Sequence, residues 1–171
     1  MTNPVTITAP QGLPFIDITR EFDAPVGAVF DAYRDPELFA RWIGPRDLDI
    51  QLEHYDFSTG GGYRFLNTDD QGNTYGFNGV FHVVRENEFA IQTFEFEGFP
   101  DVVSIESLTL TPLPGDRTRV SIHSVYPSLE ARDGMIASDM ESGMREGYEK
   151  LDEILAGKAA EKAGASSEHK A

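Results

Sequence analysis

The stretch from residue 47 to 126 constrains the fold most. It reads as six β segments, at 47–57, 62–68, 74–84, 88–96, 103–111 and 117–126, joined by short turns. Asp69-Asp-Gln-Gly-Asn73, Arg85-Glu-Asn87 and Pro112-Leu-Pro-Gly-Asp116 carry the glycine, proline, asparagine and aspartate that turns need. A parallel pair needs a crossover of a dozen or more residues, and none of these connections is that long. The strands therefore form an antiparallel meander. Gly60-Gly-Gly62 leads into the second segment. It lacks the lysine and helix of a phosphate loop, so its expected role is turn geometry or a bulge that bends the sheet.

Elements of other kinds flank the meander. Phe15-Ile-Asp-Ile-Thr-Arg-Glu-Phe22 alternates as a half-buried strand does. Asp23-Ala24-Pro25 then starts a helix, with Val26, Val29, Phe30 and Tyr33 at helical spacing. Asp35-Pro36 opens a second short helix, apolar at Leu38, Phe39 and Trp42 and ended by Gly44-Pro45. After the meander, residues 128–156 read as one long amphipathic helix. Its apolar face is Ile136, Met140, Met144, Tyr148, Leu151 and Leu155. Met135, Met140 and Met144 are adaptable filler on or beside that stripe. Gly143 and Gly147 each cost about 1 kcal/mol relative to alanine in a helix interior. Either space is wanted beside them, so that the helix walls a cavity, or this is a core helix with tolerated glycines.

A curved antiparallel sheet needs its concave face covered, and only the last helix is large enough. The expected class is α+β. A helix-grip sheet of about seven strands wraps the long C-terminal helix, and two short helices after the first strand close one end. Residues 13–156 form the single domain. Residues 1–12 read as a polar N-terminal extension, and 157–171 as a disordered tail without an apolar stripe.

Composition narrows the function. The formal net charge of −15 repels phosphate backbones, so nucleic acid is not an expected partner. No run reaches the length of a membrane span, and the N-terminus lacks the features of a signal peptide, which suggests a cytoplasmic protein. The absence of cysteine excludes disulfides and thiolate sites. No histidine pair or histidine–carboxylate spacing suggests a metal, and no cofactor is expected.

Four stretches carry a family resemblance: Leu38-Phe-Ala-Arg-Trp-Ile-Gly-Pro45, Gly60-Gly-Gly-Tyr-Arg-Phe65, Tyr75-Gly-Phe-Asn-Gly-Val-Phe-His-Val-Val84 and Glu146-Gly-Tyr-Glu-Lys-Leu-Asp-Glu-Ile-Leu155. In order and spacing they resemble the START-like (SRPBCC) superfamily, in its heat-shock-protein ATPase activator homologue branch. Tyr148 stands where that branch commonly has tryptophan. The resemblance implies the helix-grip fold. It also implies a choice among binding of lipid-like or polyketide-like molecules, polyketide cyclisation and stimulation of a chaperone ATPase.

Sheet phase selects the candidate site. Leu108 and Leu110 should face the helix, and Glu106 shares their phase. It is either a cavity-lining acid with a raised pKa or a residue at the sheet's open end. Val120, Ile122, Ser124 and Tyr126 share the inward phase, which leaves His123 outside. The sides of His54, His82, Phe94 and Phe96 are open, and His169 falls in the tail. Trp42 is a gate residue or a core anchor, while Arg41 and Arg64 have surface roles or meet a polar ligand group. The candidate ligand-binding set is Trp42, Phe65, Phe77, Phe81, Glu106, Leu108, Ile122, Met140, Met144 and Tyr148, with no catalytic residue assigned. An apolar small molecule is the first expected partner. A chaperone is the second, and a homodimer is one way to cover an outer aromatic patch. A cyclase or hydrolase using Glu106 or His82 as general acid–base is the enzymatic alternative.

Overall fold

The computed structural model describes residues 3–168. Strand β1 (Thr6–Thr8) and strand β2 (Phe15–Phe22) precede helices α1 (Val26–Arg34) and α2 (Pro36–Trp42). Strands β3 (Asp49–Tyr55), β4 (Gly62–Thr68), β5 (Thr74–Arg85), β6 (Phe89–Phe96), β7 (Val103–Leu113) and β8 (Arg117–Val125) follow. Helices α3 (Leu129–Ala137) and α4 (Met140–Glu168) end the described chain. All strands belong to one antiparallel sheet, ordered β1-β2-β8-β7-β6-β5-β4-β3. The meander runs in chain order from β3 to β8, and β2 returns to lie beside β8. The sheet is curved, and the architecture is the helix-grip. It has eight strands rather than about seven, because Thr6–Thr8 pairs with Thr19–Asp17 at the edge. Three residues are too few for alternation to be legible.

Local chemistry explains the ends of the first two helices. The Asp35 carboxylate accepts a hydrogen bond from the Glu37 N–H at 2.9 Å, and Pro36 fills the first helical position, where no donor is needed. Trp42 closes the pair: its indole Nε1 donates to the Ala32 carbonyl at 2.8 Å, and its ring packs against Tyr33 and Phe39. Trp42 is thus buried and braces the two-helix unit.

The long C-terminal helix differs from the sequence reading in two ways. It is broken at Ser138–Asp139, where the Ser138 hydroxyl bonds back to the Met135 carbonyl at 2.6 Å and Asp139 takes φ of 60°. Serine and aspartate offer the backbone such local alternatives, and an apolar-stripe analysis does not register them. The segment before the break is a separate helix. Ile136 there is exposed, and buried Arg132 donates to the Pro10 and Leu13 carbonyls at 2.7 and 2.8 Å. At the other end, α4 continues past Ala156 to Glu168 with its last turns exposed. His169 lies outside the described residues.

The two glycines have a different use from the cavity expected beside them. A Cβ on Gly147 would stand 2.9 Å from the Trp42 carbonyl, and one on Gly143 would stand 3.6 Å from the Pro45 ring. The glycine side of α4 therefore presses on the Trp42–Pro45 corner. What the glycines admit is neighbouring backbone and a proline ring.

Candidate functional site

The concave face is built from matched cross-strand rows. Ala90, Leu108, Ile122 and Ile18 stand opposite one another on β6, β7, β8 and β2 and form an apolar row. The adjacent row is Phe81, Gln92, Glu106, Ser124 and Ile16. Its ends are core residues and its middle is polar. Glu106 thus faces α4, as its shared phase with Leu108 and Leu110 requires.

The Glu106 carboxyl is buried among neutral groups with little compensation for its charge. Its Oε2 accepts one hydrogen bond, from the Gln92 amide at 3.1 Å. No cation among the described residues pairs with it. Burial pushes its pKa from the ordinary 4.5 to about 7, and the Gln92 bond opposes that rise only in part. Even so, Glu106 as a whole residue is half-buried rather than closed off, as are Gln92, Phe77, Phe94, Ile122, Met140 and Met144.

A group of tyrosines surrounds the acid. The Tyr63 hydroxyl donates to the Thr93 carbonyl at 2.7 Å and lies 3.4 Å from the Gln92 amide. The field of Glu106 reaches Tyr33, Tyr63, Tyr126 and Tyr148. Burial raises all four phenols well above the usual range or, for Tyr148, to about 12. They remain neutral hydrogen-bonding groups at any physiological pH. The Tyr33 hydroxyl is buried against the Tyr148 hydroxyl, its one polar neighbour there, in a geometry short of an ordinary hydrogen bond.

Aromatic side chains continue the wall toward the open end of the sheet. Phe65 stacks on Phe77 with ring centres 5.1 Å apart, and Phe77 meets Phe94 at 5.6 Å and Phe96 at 5.1 Å. Phe94 and Phe96 therefore face inward with Ala90 and Gln92, while Phe89 is outside under the Arg85 guanidinium.

The expected site residues divide into groups. Phe65, Phe77, Glu106, Leu108 and Ile122 share the concave face, and Met140 and Met144 pack partly buried from α4. Tyr148 lies deeper, between Phe22 and Trp42. Trp42 and Phe81 are closed in the core, the latter among Tyr55, Phe57 and Tyr63. Arg64 is on the outer face between Glu53 and Glu97, and Arg41 is exposed. His54 and His82 are exposed, and exposed His123 meets Asp17. Thus no histidine among the described residues reaches the concave site.

Sequence reasoning passed over Gln92 and Tyr63, and it placed Tyr33 and Tyr126 on inward faces without adding them to the candidate set. It also passed over Arg20, which is inward and only 2% exposed, and which forms a bidentate pair with Asp152 on α4. The signal for Arg20 was present: it shares the phase of Ile16, Ile18 and Phe22. Two clefts flank α4. One, of about 250 Å³, lies among Asn3, Val5, Arg20, Arg145 and Tyr148, and the other, of about 280 Å³, among Arg41, Arg46, Lys150 and Glu153. Neither is lined by Glu106, the phenylalanines or the methionines.

A family model described as Activator of Hsp90 ATPase homolog 1-like protein matches residues 23–156. The chain belongs to this family. It is the branch that the four motifs resembled, within the START-like superfamily. Solved structures from several bacteria share the fold. A Rhodobacter sphaeroides protein is 26% identical, with a TM-score of 0.81 over 90% of this chain and 99% of its own. A Mycobacterium smegmatis protein is 26% identical, at 0.80 over 89% and 97%. An Arthrobacter aurescens protein, solved by solution NMR, is 28% identical, at 0.80 over 88% and 91%. No curated protein matches the chain. No helix among the described residues is long and apolar enough to cross a membrane.

Proposed function

We propose that this family member binds a small apolar or aromatic molecule between the concave face of the sheet and α4. The observation that carries the proposal is the state of Glu106. The carboxyl lies deep enough for burial to dominate its pKa, yet the residue as a whole is only half-buried. A side chain packed on all sides would show the first property without the second, and a surface side chain would show the reverse. Both together fit a residue that lines a hollow. The partly open Phe77, Phe94, Ile122, Met140 and Met144 supply the apolar wall, and Gln92, Glu106 and the tyrosine hydroxyls supply the few polar groups such pockets use. Methionine suits a wall that must fit more than one shape.

Titration with N-phenyl-1-naphthylamine tests this. A saturable rise in fluorescence at one probe per chain is expected, reduced by Ile122→Trp, which would fill the space. Absence of saturable binding, or binding unchanged by Ile122→Trp, would overturn the proposal.

A protein-partner reading has its own observation. Val80 (57% exposed) and Ile105 (51%) stand on the convex face with Val103, and exposed apolar groups of this kind mark contact surfaces. The family's description names the Hsp90 ATPase. An ATPase assay with that chaperone, showing stimulation lost in Ile105→Glu, would favour this second reading.

A further inference from the structure

We infer that the concave site selects molecules that carry a protonated amine on an apolar body, with the ammonium placed against Glu106. This rests on the pocket reading above and adds the class of ligand. Three observations carry it. First, the Glu106 carboxylate has one hydrogen bond, from neutral Gln92, and no ion-pair partner among the described residues.

Second, every neighbour that the surrounding elements present to it is neutral. Gln92 comes from β6, Ser124 from β8 and Tyr63 from β4, with Tyr33 on α1, Tyr148 on α4 and Tyr126 just beyond β8. The inward cation of β2, Arg20, is committed to Asp152. A buried acid of this kind is relieved by a proton or by a cation, and a ligand can bring the cation.

Third, the walls are aromatic faces and phenol oxygens. Half-buried Phe77 and Phe94 are rings of the type that hold ammonium groups, and the neutral Tyr33 and Tyr148 hydroxyls supply oxygens that can accept from an N–H. The chain's net charge of −15 also favours the approach of cations over anions. A carboxylic-acid ligand would meet the opposite of each condition.

Calorimetric titration at about pH 8, where the site carboxyl is mainly ionised, separates the possibilities. The probes are 2-naphthylmethylamine and its near-isosteric hydrocarbon 2-ethylnaphthalene, against the wild-type chain and Glu106→Gln. The amine should bind at least about tenfold more tightly than the hydrocarbon, as expected for a charge-assisted bond. In Glu106→Gln that advantage should vanish while hydrocarbon binding persists, which also shows that the variant is folded.

Equal affinities in the wild type would overturn the inference and leave the pocket reading standing. An amine advantage that survives Glu106→Gln would also overturn it, because the attraction would then come from the acidic surface. Failure of both probes to bind would remove the pocket reading itself.

Discussion

Replacing Glu106 by glutamine should raise stability at alkaline pH and leave it nearly unchanged in mild acid. In the folded chain this carboxyl titrates at about 7 instead of 4.5, so the folded state holds the proton more tightly than the unfolded state. The sign follows from linkage: the group's contribution is most favourable when it is protonated, below about pH 4.5, and is lost as pH rises toward 7. At 1.36 kcal/mol per decade, the loss is about 3 kcal/mol. Glutamine keeps the shape and a bond to Gln92 without the charge. Urea unfolding followed by Trp42 fluorescence, at about pH 5 and pH 8, gives the difference between variant and wild type. The variant should be more stable by up to about 3 kcal/mol at the higher pH and by much less at the lower. Because all other groups titrate alike in both chains, the difference isolates this one. Parallel pH dependence in the two chains would mean that the carboxyl is solvated, and the site as described would fail.

Two further perturbations test packing. Gly143→Ala should stabilise the chain by up to about 1 kcal/mol, because its new methyl meets the Pro45 ring at ordinary contact distance. Gly147→Ala, one turn later, should destabilise it by about 1–3 kcal/mol by pressing on the Trp42 carbonyl; thermal unfolding showing the same sign for both would contradict the close approach of α4 to that corner. For the pair between β2 and α4, Asp152→Ala should cost about 3–5 kcal/mol, since Arg20 is left charged with 2% exposure. Arg20→Met should cost less, because Asp152 keeps 29% exposure and can be hydrated, and denaturant unfolding giving the reverse order would refute that asymmetry.

The parts legible in the sequence are those with a clean period. Phe15–Phe22 alternates without fault, and β2 has those bounds. The inward phase of Val120, Ile122 and Ser124, and of Glu106 with Leu108, also followed from spacing alone. What escaped depended on features with no period. Thr6–Thr8 is a strand only because an edge of β2 is available to pair with. The break at Ser138–Asp139 depends on a hydroxyl bond and one left-handed residue. Phe94 and Phe96 could not be assigned a side because β6 is apolar in both phases, and the shift in register between Phe81 and Val83 hides the answer in β5 as well. Glu106 was visible as an inward acid and Tyr148 as a candidate beside it, but Gln92, Tyr63 and Tyr33 were not. They come from three other elements, and only the folded chain brings them together.

The most direct test of the central proposal is methyl NMR with labelled methionine and isoleucine, titrated with 2-naphthylmethylamine. The expected result is that the methyl signals of Met140, Met144 and Ile122 move together and saturate, while that of Ile105 on the convex face stays in place. Saturating shifts at Ile105 with Met140, Met144 and Ile122 unmoved would show that the concave site is not where the molecule binds.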